Sequence, residues 1–441
     1  MSSRNSHLAT KPPSVEPLTR VRASLAEYVR HVRMFSRNAR LYLTGSFLMA
    51  INFAVFQLLF NLYLRENGFA ESAIGQVLSA RGLGMVLIAV PAALLLSRIR
   101  LKPVLLLAGT LFAFFSAGMC VFLDLSHLRG LALLVGMAFS FYRVASGPFY
   151  MRNSSRLERT HLFSFSFAMM ILANMVGSAG SGNLVTLMTS LTGDLILGYR
   201  YTLLLGILVG LTALIPFSMI KAAAPSAEEN RITLTLSQLK RRGRFYVKIS
   251  SANLLIGLGA GLIIPFLNLF FRDRFDLPPD RIGWYFFAVS CSMFFGTLSG
   301  PVLAKRLGLV RTIVITQLAS IPFMFVLAYS YVLPLVVAAF VLRGGLMNLG
   351  VPISTNFGME MAEKNEQGLV NALLMVSWTG SWMLSALIGG FVIERFGYTV
   401  ALNVSIVLYV FSSLVYWGFF RNAERKREGA RGWVIPERSE L

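Results

Sequence analysis

Three arginines stand inside otherwise apolar runs: Arg81 in QVLSARGLGM, Arg143 in FYRVASGPFY and Arg343 in AFVLRGGLMN. A charge in such a run is costly to bury and by default carries a function. A guanidinium is a planar fork of donors, suited to a carboxylate or a phosphate. No Asp or Glu stands beside them within the runs, because Glu158, Glu360, Glu363 and Asp124 fall at run ends. Arg143 and Arg343 are therefore expected to meet an anionic group in a cavity, whereas Arg81, early in its run, is expected to snorkel to the outer boundary.

Amides form a second set: Asn52, Gln57 and Asn61 in one run, Asn253 and Asn268 in another, with Asn174, Asn348 and Asn371 elsewhere. They can bind a polar ligand or bond helix to helix, the latter at only about 0.6 kcal/mol per pair. Among the aromatics, Phe56, Phe60, Phe149, Tyr150, Phe266 and Trp378 could floor an apolar pocket, and Trp284 and Tyr285 read as interfacial belt residues. All four histidines, His7, His31, His127 and His161, lie in tails or at run ends, so no titrating group is placed for proton carriage through a cavity; Glu360, at a membrane edge, is the exception to watch. A catalytic set of His with Asp or Glu is missing from the runs, so no enzyme is expected. Cys120 and Cys291 stand far apart without CxxC spacing, so neither a disulfide nor a metal site is expected.

The elements that must position these residues follow from composition. The chain is 55% hydrophobic and only 14% charged, where soluble proteins carry roughly 25% charged residues. Its apolar blocks are long enough to cross a bilayer, which takes about 20 residues each. Twelve spans are predicted, at roughly 41–64, 75–97, 103–123, 130–151, 161–188, 198–221, 247–271, 282–304, 310–330, 332–357, 368–392 and 399–420. The net charge of +21 sits between the blocks, which makes it a topology and headgroup signal rather than a nucleic-acid footprint. One set of loops gathers Arg98, Arg100, Lys102, Arg152, Arg156, Arg159, Lys240, Arg241, Arg242, Arg244, Lys305, Arg306 and Arg311. The opposite loops are mixed, as in Arg65 with Glu66 and Glu71. The positive-inside rule places the basic side and both termini in the cytoplasm.

The domain reading is an N-terminal arm at 1–40, a six-helix bundle at 41–222, a linker at 223–246, a second bundle at 247–420 and a tail at 421–441. Residues 18–35 carry an apolar stripe among arginines, the pattern of a cationic interfacial helix. No cleavable leader is read in the polar, basic first 40 residues.

The two bundles repeat each other. FNLYLRENG at Phe60–Gly68 matches LNLFFRDRF at Leu267–Phe275, with Asn61 on Asn268, Arg65 on Arg272 and Glu66 on Asp273, each 207 positions apart. Ser97-Arg98 falls on Lys305-Arg306, and Gly182 falls on Gly389. Paired repeats of this kind are a common plan for transporters.

On these residues the chain resembles the major facilitator superfamily over about residues 41–420. That family's loop motif, Gly-x-x-x-Asp-Arg/Lys-x-Gly, is echoed by GPVLAKRLGLVR, which keeps Arg306, Gly308 and Arg311, and by LLLSRIRLKP, which keeps Arg98, Arg100 and Lys102. Ser97 and Lys305 replace the expected Asp, which the family uses to latch its halves at the cytoplasmic side. The Arg-x-x-Gln-Gly mark of span four is echoed by Arg143 and Gly147, with Ser146 at the Gln position. The span-five Gly-Pro-x-x-Gly-Gly pattern of drug/proton antiporters is not met; GSAGSG, with Gly177 and Gly182, stands there instead.

The resemblance implies an all-α polytopic membrane protein with twelve transmembrane helices in two pseudo-symmetric bundles. It further implies a cavity lined by spans one, four, seven and ten. The candidate substrate contacts are Arg143, Arg343, Gln57, Asn61, Asn268 and Asn348; the candidate loop and gating residues are Arg98, Arg100, Lys102, Lys305, Arg306, Gly308 and Arg311. Gly147, Gly177, Gly182 and Gly389 are expected to pack helices closely. The function expected is secondary active transport by alternating access, exporting or exchanging an anionic or amphipathic small molecule across the cell membrane. The alternatives are multidrug export of lipophilic compounds and a non-transporting receptor on the same fold. No cofactor or metal is expected. The expected partners are a small-molecule substrate and a bilayer with anionic inner-leaflet headgroups; nucleic acid is not expected, and the protein is expected to be a monomer.

Overall fold

Hydrophobic blocks this long satisfy their backbone only as helices, and helices are what they form. The computed structural model describes residues 35–96, 98–153, 156–221, 243–361 and 367–430. The expected interfacial helix, Ser97, Lys240, Arg241, Arg242 and Glu363 lie outside the described residues, as do the side chains of Arg156, Glu158, Arg159, His161, Glu360 and Asn371.

The first half holds α1 (Arg37–Glu66), α2 (Glu71–Leu96), α3 (Leu101–Val121), α4 (Leu125–Asn153), α5 (Arg156–Thr192) and α6 (Leu195–Met219). The second holds α7 (Gly243–Phe275), α8 (Pro279–Leu307), α9 (Leu309–Tyr329), α10 (Leu333–Met361) and a last helical stretch, Gln367–Ala430. That stretch breaks at Gly397, whose φ of 81° is left-handed, so it divides into α11 (367–396) and α12 (398–430). A side chain there would be strained. The predicted twelve spans are thus all present, most of them a few residues longer than their apolar cores.

Local signals set the helix ends. The Ser36 hydroxyl accepts from the Ala39 amide at 3.2 Å to open α1. The Asp194 carboxylate accepts from the Ile196 amide at 2.7 Å to open α6. Asp124 opens α4 in the same way, and hydrogen bonds from the Ser126 hydroxyl and the His127 amide hold its carboxyl well below the usual range, at about 2. Side-chain oxygens at these positions occupy amides that the helix itself leaves unpaired. Gly308, at φ 89°, closes α8 and opens α9. Pro265 interrupts α7 with one 3-10 turn, Ile264–Phe266, because it removes an amide donor from the helix.

Exposure shows which face of each helix meets lipid. On α2 the exposed residues Leu83, Leu87, Val90 and Leu94 recur every three or four positions, which is one helical face. On α11 the same spacing holds for Leu384, Leu387, Ile388 and Phe391. Residues on the opposite faces look inward, and there the two halves meet.

Candidate functional site

The repeated phrase of the sequence becomes a reciprocal clasp between the halves. The Asn61 amide donates to the Pro265 carbonyl at 2.7 Å, and the Asn268 amide donates to the Leu58 carbonyl at 2.6 Å. Pro265 stands 207 positions after Leu58, the same offset as between the asparagines, so one contact is the other rotated about the pseudo-twofold axis. One turn further, Arg65 Nε meets Asp273 at 3.3 Å and Arg272 Nε meets Glu66 at 3.0 Å. Each repeat's arginine therefore takes the other repeat's acid. Tyr398 donates to Asp273 at 2.7 Å, Glu71 adds a carboxylate 3.4 Å from Arg65, and Asp276 pairs with Arg272. Arg65, Glu66, Arg272, Asp273 and Asp276 line an open depression of about 400 Å³ above the clasp.

Flanking the clasp, helices cross almost backbone to backbone. A Cβ on Gly182 of α5 would lie 2.5 Å from the Pro279 carbonyl of α8, and one on Gly283 would lie 2.5 Å from the Ser178 carbonyl. A Cβ on Gly390 of α11 would lie 2.3 Å from the Glu71 carbonyl of α2, and one on Gly75 would lie 2.6 Å from the Ala386 carbonyl. These four positions are two pairs related by an offset of 208, so the counterpart of Gly182 is Gly390. Gly389, its partner in the sequence register, instead packs within its own half, against the Leu262 carbonyl of α7. The polar contact beside each crossing also repeats: Glu394 accepts from the Ser72 amide at 3.0 Å, and Thr186 reaches Asp280 at 3.5 Å. Among the described residues, every hydrogen bond and ion pair between the halves lies at this end. Toward the basic end, no hydrogen bond or ion pair between two described residues joins them.

Toward the basic end from the clasp stand other candidate contacts. Arg143 is exposed, and its guanidinium has no hydrogen-bond or ion-pair partner among the described residues. It lies across α4 from the exposed Gly130 and Leu134. Gln57 is the exposed position on the inner stretch of α1, one turn before Asn61. Asn348 is half-buried and donates to the Gly344 carbonyl of its own helix at 3.0 Å.

Several expectations need correction. Asn61 and Asn268 are buried, with their amides committed to the opposite half rather than to an open cavity. Arg343 is 3% exposed, and its guanidinium donates to the Tyr409 hydroxyl of α12 at 2.7 Å, inside the second half and away from the cleft. Gly147 has open space where a Cβ would stand, so no neighbour requires a glycine there, whereas a Cβ on Gly177 would lie 2.6 Å from Ala54, as at a packing glycine. Phe56, Phe60, Phe149 and Phe266 are core, Phe149 stacking on Tyr42 at 4.0 Å. The loop cations Arg98, Arg100, Lys305, Arg306 and Arg311 are exposed and Lys102 is half-buried; among the described residues no ion pair holds them, in keeping with the missing Asp. Arg152 instead ties the loop down, donating to the Ile99 and Leu96 carbonyls at 3.2 and 2.7 Å.

Two features escaped the sequence reading. The clasp charges were visible as a repeat, but nothing in a repeat says that its copies touch. Arg81 stands ten residues into α2, roughly 15 Å from its start, so it is interior rather than at the boundary. Its guanidinium lies over the Phe53 ring at 5.7 Å.

Comparison with known proteins places this architecture. The profile of the Major Facilitator Superfamily matches residues 42–249 and again 249–435. Among solved structures, the nucleoside transporter NupG is 16% identical with a TM-score of 0.70, covering 87% of this chain and 98% of its own. A bacterial homologue of the human lysosomal transporter Spinster, inward-facing and occupied, is 11% identical with a TM-score of 0.72, covering 88% and 96%. The human organic anion transporter MFSD10 is 16% identical with a TM-score of 0.57, covering 86% and 99%. No curated protein matches the sequence.

Proposed function

The chain belongs to the major facilitator superfamily and is a multi-pass membrane transporter of a small molecule, and we propose that it carries an organic anion between its halves by alternating access. The observation that carries this reading is Arg143, exposed midway along a spanning helix with no hydrogen-bond or ion-pair partner among the described residues; we read it as facing a cleft that the Asn61 and Asn268 contacts close at one end and that opens at the basic end. An unpaired cation at that depth is costly unless something neutralises it. A carboxylate or phosphate on the substrate does so, with geometry that the planar fork prefers.

The positive-inside rule assigns the open, basic end and both termini to the cytoplasm of a cell membrane. Substrate then enters from inside, is drawn in by Arg143, and leaves through the Asn61 and Asn268 clasp once the halves rock apart there. Export, or exchange against a second anion, is the direction this supports, and the carrier works as a monomer. The similarity to an inward-facing Spinster homologue supports the same placement of the opening.

The test is the melting temperature of detergent-purified protein with organic anions, zwitterions, lipophilic cations and lipids, beside Arg143→Ala. A ligand at a hundredfold excess over its dissociation constant stabilises the native state by about 2.7 kcal/mol. An anion should stabilise the parent and stabilise the variant less. Stabilisation of both proteins by cations or lipids alone would replace this reading with efflux of lipophilic compounds.

A further inference from the structure

The two walls of the cleft are not alike, although the halves are repeats. In the 208 register, Val289 and Val351 stand where the first half has Arg81 and Arg143. Conversely, Met170 and Asn174 stand where the second half has Trp378 and Trp382. One wall thus carries two guanidiniums that no described carboxylate pairs, and the other carries two indoles with centroids 5.7 Å apart.

Both sets look inward at one level. Arg81 lies across α2 from the lipid-facing stripe of Leu83, Leu87, Val90 and Leu94. Trp378 and Trp382 lie across α11 from Leu384, Leu387, Ile388 and Phe391. Met383, next to Trp382, packs against Gly82, next to Arg81, where a Cβ would stand 2.9 Å away. Behind Arg81, Phe53 stacks on Phe139 at 4.6 Å and 10°. The ring face attracts the guanidinium but leaves all its donors unused. Arg143 stands two turns nearer the basic end, roughly 10 Å along α4 from the level of Arg81.

We propose that the substrate is an amphipathic anion bound across the cleft, its charged group on Arg81 and its flat apolar body against Trp378 and Trp382, with Arg143 guiding the anion from the mouth. This deepens the reading of the cleft as an anion carrier's site and rests on it. Two unlike walls select a molecule that is itself divided. A small inorganic anion leaves the indoles unused, and a lipophilic cation is repelled by both arginines. Arg81, level with Phe53, stands about 12 Å along α1 from Asn61, so an anion seated there lies between the basic mouth and the Asn61 and Asn268 contacts whose opening would release it.

The probe is 6-bromo-2-naphthoate, with its neutral amide as control, on full-length protein in detergent. Its bromine quenches indole fluorescence at contact, and its affinity is read in parallel from the melting shift. The naphthoate should quench and stabilise the parent, and the amide should bind about tenfold or more weakly, as expected for loss of a charge-assisted contact. Arg81→Gln should lose a similar factor while Arg81→Lys keeps part of it. Trp378→Phe with Trp382→Phe should remove the quenching and leave an anion-dependent melting shift. Each variant is compared only if it elutes monodisperse and melts like the parent without ligand; Arg81→Lys serves if Arg81→Gln does not. Equal affinity for naphthoate and amide, full binding by Arg81→Gln, or quenching that survives the loss of both indoles would overturn the proposal. If Arg143→Gln abolishes binding and Arg81→Gln does not, the anion carrier stands and this assignment fails. If no anion binds the parent while cations do, both fail together.

Discussion

The asparagines are where a single atom matters most. Each donates one hydrogen bond across the interface, at 2.7 and 2.6 Å, and bonds of this kind within membranes contribute about 0.6 kcal/mol. Asn61→Ala and Asn268→Ala should therefore each open the gate roughly threefold more often, and the double variant somewhat under tenfold. The reading is the labelling rate of Gln57→Cys, below the clasp, by a membrane-impermeant maleimide applied from the gate side, with Cys120 and Cys291 replaced by Ser. The two single variants should match, because their contacts are one contact repeated. A large effect from one and none from the other would show that the reciprocity is only geometric. The sequence made these asparagines visible as a pair but not their task, since contact between repeats is set by how the halves dock. Arg81 was misjudged for a related reason. Helix α2 is apolar on every side, so the chain itself does not say which face meets lipid.

Helix crossings set the next scale, and glycine separates those that close the gate from those that merely pass. A side chain on Gly182 would strike the Pro279 carbonyl at 2.5 Å, while one on Gly147 would meet nothing within 4 Å. Gly182→Val should force α5 and α8 apart and shift the protein toward the gate-open state, raising Gln57→Cys labelling. Gly147→Ala should leave labelling unchanged and hold or raise the melting temperature, since alanine in a helix is favoured by roughly 0.5–1 kcal/mol. A Gly182→Val protein that labels like the parent would mean that the crossing is not under compression. All twelve spans were legible because their apolar blocks are long, and the break at Gly397 fell between two predicted spans. The fine register was not, because Gly389 and Gly390 both fit the repeat and only the α2 crossing distinguishes them.

At the scale of the molecule, the closed end is held by many weak contacts rather than one strong one. Two amide bonds contribute about 1.2 kcal/mol in all, and ion pairs as exposed as Arg65–Asp273 contribute at most about 1 kcal/mol each. Moving a two-state equilibrium from one extreme to the other takes about 5.5 kcal/mol, so a bound substrate can bias this gate without having to break it outright. Such a gate suits a carrier that must open in both directions. The measurement that tests this most directly is exchange of an anion by proteoliposomes containing Arg65→Cys/Asp273→Cys, joined by a short bis-methanethiosulfonate cross-linker in the background lacking Cys120 and Cys291. The locked carrier should still be stabilised by the anion in detergent, because its cleft remains open at the basic end, yet exchange should stop and return on reduction. Continued exchange with the clasp locked, or loss of binding together with transport, would contradict the account.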